Sequence, residues 1–191
     1  MSLDVRALLE QTGALLRGHF RLSSGLHSGN YVQCARLLEE PRNAKAIGAA
    51  LGDRIREFGA QRIVAPALGG VIIGYTAAEA LGVPFLFTER KEGQMTLRRG
   101  FALEPDEDVV IVEDVVTTGK STRETAEVIT QHGGRVVGFA SILNRSGKAN
   151  PFAPDPYEAL LALDFETYEE SECPLCSSGV PLDAPGSRYS K

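Results

Sequence analysis

The chain has 191 residues, 43% hydrophobic and 24% charged, an ordinary soluble composition that predicts one domain burying about 70% of its unfolded surface. A net charge of −5 argues against a nucleic-acid partner held through phosphate contacts. No apolar run reaches the length of a membrane span and the first residues lack the regions of a signal peptide, so a cytoplasmic location is expected; three cysteines without an even framework fit a reducing compartment.

Leu3, Ala7, Leu8, Ala14 and Leu15 recur at near-helical spacing, interrupted by Gly13, and predict an N-terminal helix ending near Arg17-Gly18. The next segment, residues 18–33, mixes short strand-like pieces with glycines and is too polar for a plain connector. Its histidines, His19 and His27, read as hydrogen-bonded structural residues, because nothing in their spacing makes a metal site. Pro41 starts a helical run through Phe58, with Ala46, Ile47, Ala50, Leu51 and Ile55 on one stripe and Gly59 as the stop. Arg62-Ile63-Val64-Ala65 predicts a short buried strand, and a helix is expected from Val71 to Leu81. Between them, Pro66-Ala67-Leu68-Gly69-Gly70 either makes only a tight turn or presents amides at a helix N-terminus, where a phosphate group is favoured.

Pro84 to Thr88 predicts another apolar strand. Residues 89–100 then carry Arg90, Lys91, Arg98 and Arg99, a dense basic run in an acidic protein. It is either a solvated loop or a mobile cationic lid that closes over an anionic substrate.

The most informative stretch is Val109-Val110-Ile111-Val112-Glu113-Asp114-Val115-Val116-Thr117-Thr118-Gly119-Lys120-Ser121-Thr122. Four β-branched residues predict a strand buried on both faces, two carboxylates come next at its end, and a hydroxyl-rich turn leads into a helix over residues 121–131. In an open α/β sheet, ligands sit at the carboxyl ends of strands. The turn offers amides and hydroxyls to a phosphate. Glu113 and Asp114 repel phosphate, so ribose hydroxyls or the water around Mg²⁺ suit them better. The Gly119-Lys120-Ser121-Thr122 end imitates a P-loop, but a P-loop needs a glycine where Asp114 stands, which excludes that reading.

A last buried strand is expected from Arg135 to Ile142, with Asn144-Arg145-Ser146-Gly147 at its carboxyl end; Arg145 there is either a surface arginine or a bidentate partner for a carboxylate. Residues 147–157 read as a loop and Tyr157 to Asp164 as an edge strand. The tail holds Cys173-Pro174-Leu175-Cys176, half a zinc site with no second pair in the chain; it reads first as an unliganded turn, with sharing between two subunits or redox activity as alternatives.

The stretch from Val109 to Thr122 resembles the phosphoribosyl-pyrophosphate (PRPP) motif of the type I phosphoribosyltransferases, and residues 18–33 resemble the N-terminal hood of the orotate phosphoribosyltransferases. Many members of that family carry a lysine where this chain has Ser23. Arg90-Lys91-Glu92 matches the start of the family's flexible loop, whereas Gln94 and Thr96 stand where many members have a second lysine and a histidine.

The resemblance implies one domain with a mostly parallel sheet flanked by helices: residues 1–40 as N-terminal helix and hood, 41–165 as core, 166–191 as tail. It implies 5-phosphoribosyl transfer from PRPP to orotate in pyrimidine synthesis. Glu113 and Asp114 would act on the ribose, the segment from Val115 to Ser121 would bind PRPP, and Leu68, Gly69 and Gly70 would contact pyrophosphate. Tyr31, Val32, Thr117 and Arg145 would hold orotate. Arg90 and Lys91, the latter as the catalytic cation, would reach PRPP in the neighbouring subunit of a homodimer. Mg²⁺ would be held through substrate and water, with no direct protein ligand. Two rival expectations are a purine phosphoribosyltransferase, disfavoured by Arg145 and the hood, and a non-catalytic PRPP-sensing regulator, which needs a nucleic-acid-binding element that is not evident here.

Overall fold

The computed structural model describes residues 3–22 and 24–185. Ser23 and the last residues of the tail lie outside them. The first helix, α1 (Val5–Gln11), is capped by Asp4, whose Oδ1 accepts from the Ala7 amide at 3.0 Å. It is shorter than its apolar spacing suggests. Gly13 takes a φ of +62°, which few other residues adopt, and this reverses the chain before Arg17. The chain then enters β1 (Leu15–Arg21), antiparallel to β2 (His27–Val32). Leu15 therefore belongs to a strand, not to the helix that its spacing predicts.

Next come α2 (Cys34–Leu38) and α3 (Pro41–Ile55), the latter opened by its proline and closed by a 3₁₀ turn at Arg56–Phe58 and by Gly59. Beyond them lie β3 (Arg62–Pro66) with α4 (Gly69–Leu81), then β4 (Phe85–Lys91). Residues 94–97, expected in an open loop, form β5 (Gln94–Leu97), antiparallel to β4. Lys91 faces Gln94 across a two-residue turn in which Glu92 and Gly93 both have positive φ (53° and 83°), the geometry that matches strand twist in tight hairpins. A charge run disguises this hairpin. Its inward residue, Leu97, is buried, while Arg90, Lys91 and Gln94 are not.

The chain continues through β6 (Asp108–Val116), α5 (Lys120–Gln131), β7 (Arg135–Asn144), β8 (Tyr157–Ala162), the short β9 (Thr167–Tyr168) and α6 (Pro174–Ser177). The main sheet has the order β5-β4-β3-β6-β7-β8, parallel except for β5. A smaller sheet, β1-β2-β9, forms the hood.

Strand periodicity explains the core. Val110 and Val112 pack with Ile63, Ile47, Leu51 and Ile73 on the side of α3 and α4. Val109 and Ile111 pack with Val64, Val128 and Ile129 on the side of α5. Alternate residues of β6 thus face opposite layers, as its unbroken β-branched run predicts. Each such side chain contributes about 1.5–3 kcal/mol on full burial. This fixes the end of β6, and with it the functional residues beyond, in a rigid frame. Among the described residues no helix is long and apolar enough to cross a membrane.

Candidate active site

Strand β6 runs further than its apolar residues indicate. It pairs with β7 as far as Val116↔Asn144, whereas its pairing with β3 ends at Val64↔Ile111. Glu113 and Asp114 therefore sit inside the strand but have a strand neighbour on one side only. The other side is occupied by the loop into α4. A Cβ on Gly69 would lie 2.7 Å from both carboxylate oxygens of Asp114, and one on Gly70 would lie 2.9 Å from the Val112 carbonyl. Only glycine lets that loop approach the acidic pair. The Ala67–Leu68 peptide bond there is cis, and the Leu68 side chain is 87% exposed.

Glu113 is buried and Asp114 half-buried. Glu113 Oε1 accepts from the Asp114 amide at 3.1 Å, and Asp114 Oδ1 accepts from the Val115 amide at 2.9 Å. Burial, and then the charge of Asp114, hold the Glu113 carboxyl well above the ordinary range. Asp114 is also raised by burial, against the hydrogen bonds that it accepts. Glu113 thus retains a proton more readily than a free carboxyl does, with Asp114 the better acceptor toward the cavity.

The turn after β6 leaves a helix end open. Gly119, at φ +71°, is the residue before α5 and brings no capping side chain; the Lys120 amide donates to Thr118 Oγ1 at 3.3 Å, and the next amides are left for a ligand. Its place is tight: a Cβ would lie 2.8 Å from Arg123 Nη1 and 2.9 Å from Phe152 Cε1. Arg123 holds the turn, donating to the Thr118 carbonyl at 2.8 Å and to the Pro151 carbonyl at 2.6 Å, with its guanidinium 5.1 Å from the Phe152 ring centre. The free amides of a helix N-terminus and its dipole stabilise an anion at this end of the turn.

A cavity of about 710 Å³ brings these parts together. Its floor is Glu113, Asp114, Val115 and the turn from Thr117 to Thr122. The hood supplies Leu22, Ser24, Leu26, Tyr31 and Val32, and the far wall is Arg145, Asp164 and Phe165. Val116, expected among the ligand contacts, instead buries its side chain in the core, and its carbonyl accepts from the Arg145 amide at 2.7 Å. That bond anchors Arg145. The Arg145 guanidinium lies 4.5 Å from the Phe165 ring centre, and its Nε is buried without a hydrogen-bond partner. Burial pulls its pKa below the ordinary value. Tyr31 is raised by burial and by the nearby Asp114, against the charge of Arg145. A cation and an acidic group thus face the same hood tyrosine.

The basic hairpin stands apart from this cavity. Arg90 pairs with Glu124 of α5, and Glu89 holds Arg98 at 3.2 Å and Arg99 at 2.9 Å. Lys91 is exposed and makes no ion pair among the described residues. Leu68, Gly69 and Gly70 border the acidic pair from the β3 side without lining the main cavity. Three contributors carry no distinguishing signal in the sequence: Arg123, which looks like one more surface charge, and Asp164 and Phe165, which lie where the expected edge strand meets the tail.

Sequence spacing does not connect the two histidines with the tail cysteines. The structure places His19, His27, Cys173 and Cys176 together, their donor atoms all within 4.8 Å of one another. The segments are far apart in the chain, and only the closing of the hood by the tail joins them.

The phosphoribosyl transferase domain matches residues 33–160. The chain is 47% identical over 184 residues to an orotate phosphoribosyltransferase of Thermotoga maritima, covering 96% of this chain and 98% of that protein. It is 48% identical over 188 residues to one of Carboxydothermus hydrogenoformans, covering 97% and 98%. The crystal structure of orotate phosphoribosyltransferase from Aeropyrum pernix superposes with a TM-score of 0.67 at 25% identity, over 84% of this chain and 94% of that one. An adenine phosphoribosyltransferase from Leishmania tarentolae shares the fold at a TM-score of 0.61 and 19% identity, over 84% and 88%. The fold therefore does not choose the base; the near-full-length identities do, and by them the chain belongs to the phosphoribosyl transferase domain family and, within it, to the orotate phosphoribosyltransferases.

Proposed function

We propose that the chain transfers the 5-phosphoribosyl group of PRPP to orotate, giving orotidine 5′-phosphate and pyrophosphate for pyrimidine nucleotide synthesis, and that it works as a Mg²⁺-dependent homodimer in the cytoplasm. The observation that carries the reading is Arg145: a half-buried guanidinium at the cavity wall that makes no ion pair among the described residues, facing the same cavity as a helix N-terminus and a carboxyl pair. A cation held at a cavity wall without a counter-charge suits a ligand carboxylate. Orotate carries that carboxylate.

In this arrangement the turn from Thr117 to Ser121 receives the 5′-phosphate, Asp114 and Glu113 take the ribose hydroxyls, and Tyr31, Val32 and Arg145 hold the base. The bond from the anomeric carbon to pyrophosphate breaks as the base nitrogen, its proton released to the departing pyrophosphate or to solvent, bonds to that carbon. Asp114, the more open carboxylate, faces the positive charge that develops on the sugar. The hood excludes water, which would otherwise compete with the base. Two adjacent carboxyl groups, one of them buried, are too few for an all-protein cage, and as hard oxygen donors they fit a Mg²⁺ held through water. Bound there, Mg²⁺ would supply charge neutralisation to the pyrophosphate leaving group.

Two features support the homodimer. Leu68, Ile72 and Tyr75 are exposed at helical spacing (87%, 45% and 62%), an apolar stripe that a second copy would cover. Lys91 lies on an exposed hairpin outside the chain's own cavity, which suits a cation offered to a neighbour. The test is orotate consumption by the pure protein, followed by its absorbance with and without PRPP and Mg²⁺. Dependence on all three is expected. Faster use of adenine or hypoxanthine than of orotate would overturn the assignment.

A further inference from the structure

We propose that His19, His27, Cys173 and Cys176 form a structural zinc site that clamps the hood to the C-terminal segment. His19 lies in β1 and His27 opens β2, while Cys173 immediately precedes α6 and Cys176 lies within it. His19, His27 and Cys173 are buried (3%, 1% and 1% exposed), and Cys176 closes the cluster at the surface.

The distances suit one tetrahedral ion. Zinc–sulfur bonds of about 2.3 Å and zinc–nitrogen bonds of about 2.0–2.1 Å give tetrahedron edges of roughly 3.5 Å for N···S and roughly 3.3 Å for N···N. Here Cys173 Sγ lies 3.5 Å from His19 Nε2, and Cys176 Sγ lies 3.6 Å from that nitrogen and 3.3 Å from His27 Nδ1. The two ring nitrogens are 2.9 Å apart and would open by a few tenths of an ångström, while the remaining donor pairs, all within 4.8 Å, would close onto the ion.

Proton bookkeeping also favours an ion. His19 Nδ1 lies 2.8 Å from the Val180 carbonyl, which can only accept. The proton is therefore on Nδ1, and Nε2 presents a lone pair. His27 Nδ1, Cys173 Sγ and Cys176 Sγ all converge on that lone pair, which can receive only one hydrogen bond well. A zinc ion uses all four donors at once. The carbonyl behind His19 is the second partner that metal-bound histidines usually have. Two thiolates and two neutral imidazoles make the charge of the bound site zero, as burial requires.

A closed four-ligand set with no open position is structural, not catalytic. The hood needs such a clamp. Its sheet has three strands, β9 contributes two residues, and a sheet that small is marginal without another support. Leu22, Ser24 and Leu26, between the two histidine strands, line the cavity, so the ion would brace that roof from behind.

The test is metal content of the full chain, expressed with zinc and purified without chelator. About one zinc per chain is expected, falling at least tenfold in Cys176→Ser and in His27→Asn. Cobalt loaded into the wild-type protein should give the intense visible bands of a tetrahedral ion and a thiolate charge-transfer band, whether or not the variants fold. Amide exchange should rise in residues 15–32 and 167–180 on chelation and stay unchanged in β6 and α5. Zinc well below one per chain together with no cobalt–thiolate band would overturn the proposal, as would full zinc retention in Cys176→Ser. None of these readouts depends on the transferase reaction.

Discussion

Replacing Arg145 by alanine separates base recognition from stability. Its guanidinium lines the cavity and makes no ion pair among the described residues, so a ligand carboxylate at that wall gains a charge-assisted pair. Losing such a pair costs about 1.5–3 kcal/mol, which is about 12- to 140-fold in orotate affinity. Two opposing effects act on the unliganded fold. The contact with the Phe165 ring at 4.5 Å is lost, worth about 0.5–2 kcal/mol. Burial of a charge without a partner is relieved, which offsets much of that loss. The net change in stability is therefore within about 1 kcal/mol, which moves Tm by only a few degrees in a chain of this size. Calorimetric titration of orotate, uracil and PRPP into wild type and Arg145→Ala is the assay. Wild type should prefer orotate to uracil, which lacks the carboxylate, and the variant should lose that preference while binding PRPP within about twofold of wild type. Unchanged discrimination between orotate and uracil, or equal losses for orotate and PRPP, would refute the role given to Arg145.

Glu113→Gln tests the carboxyl pair. Because the folded pKa of Glu113 is raised above its unfolded value, the native state binds the extra proton and stability declines as pH rises from the ordinary carboxyl range through the folded pKa. The variant should lack that decline, so its Tm should gain on wild type as pH rises above the ordinary carboxyl range; parallel curves would contradict the assignment. Gly69→Ala puts a methyl 2.7 Å from the Asp114 carboxylate, and overpacking of about 1–3 kcal/mol should weaken PRPP binding in titration while circular dichroism stays native. Tyr75→Glu, on the exposed stripe of α4, should shift the protein from dimer to monomer in light scattering, and an unchanged mass would remove that face as the interface. Lys91→Ala should lower turnover with PRPP affinity retained, and mixing it with Asp114→Asn should restore part of the activity if the cation serves the neighbouring subunit.

The main sheet is legible in the sequence because its signals are local. A β-branched run such as Val109 to Val112 has few outcomes besides a buried strand, and Pro41 and Gly59 punctuate their helix by backbone geometry alone. The acidic pair and the turn after it are legible for the same reason: strand, carboxylates and helix N-terminus succeed one another in the chain. Residue-level readings fail where partners are distant. Leu15 keeps helical spacing with α1, yet Gly13 and pairing with Val32 override it. The Glu92-Gly93 hairpin turn is hidden in a run of charges whose ion partners, Glu89 and Glu124, are fixed only by the fold. Exposed bridges of this kind contribute about 0.2–1 kcal/mol each, so the hairpin's cations are held but not locked. Phe165 acquires a role only once β8 has carried the chain back beside Arg145.

The hood joins segments made early and late in synthesis. His19 contacts the Val180 carbonyl across 161 positions, and Phe20 bridges to Asp183. On the ribosome, the strand that carries the carboxyl pair and the helix after it are complete before the residues that close the roof have emerged. The nascent enzyme therefore completes the proposed phosphate cradle first and its cover last, and a chain whose emerged part ends near residue 165 would leave that pocket open to solvent.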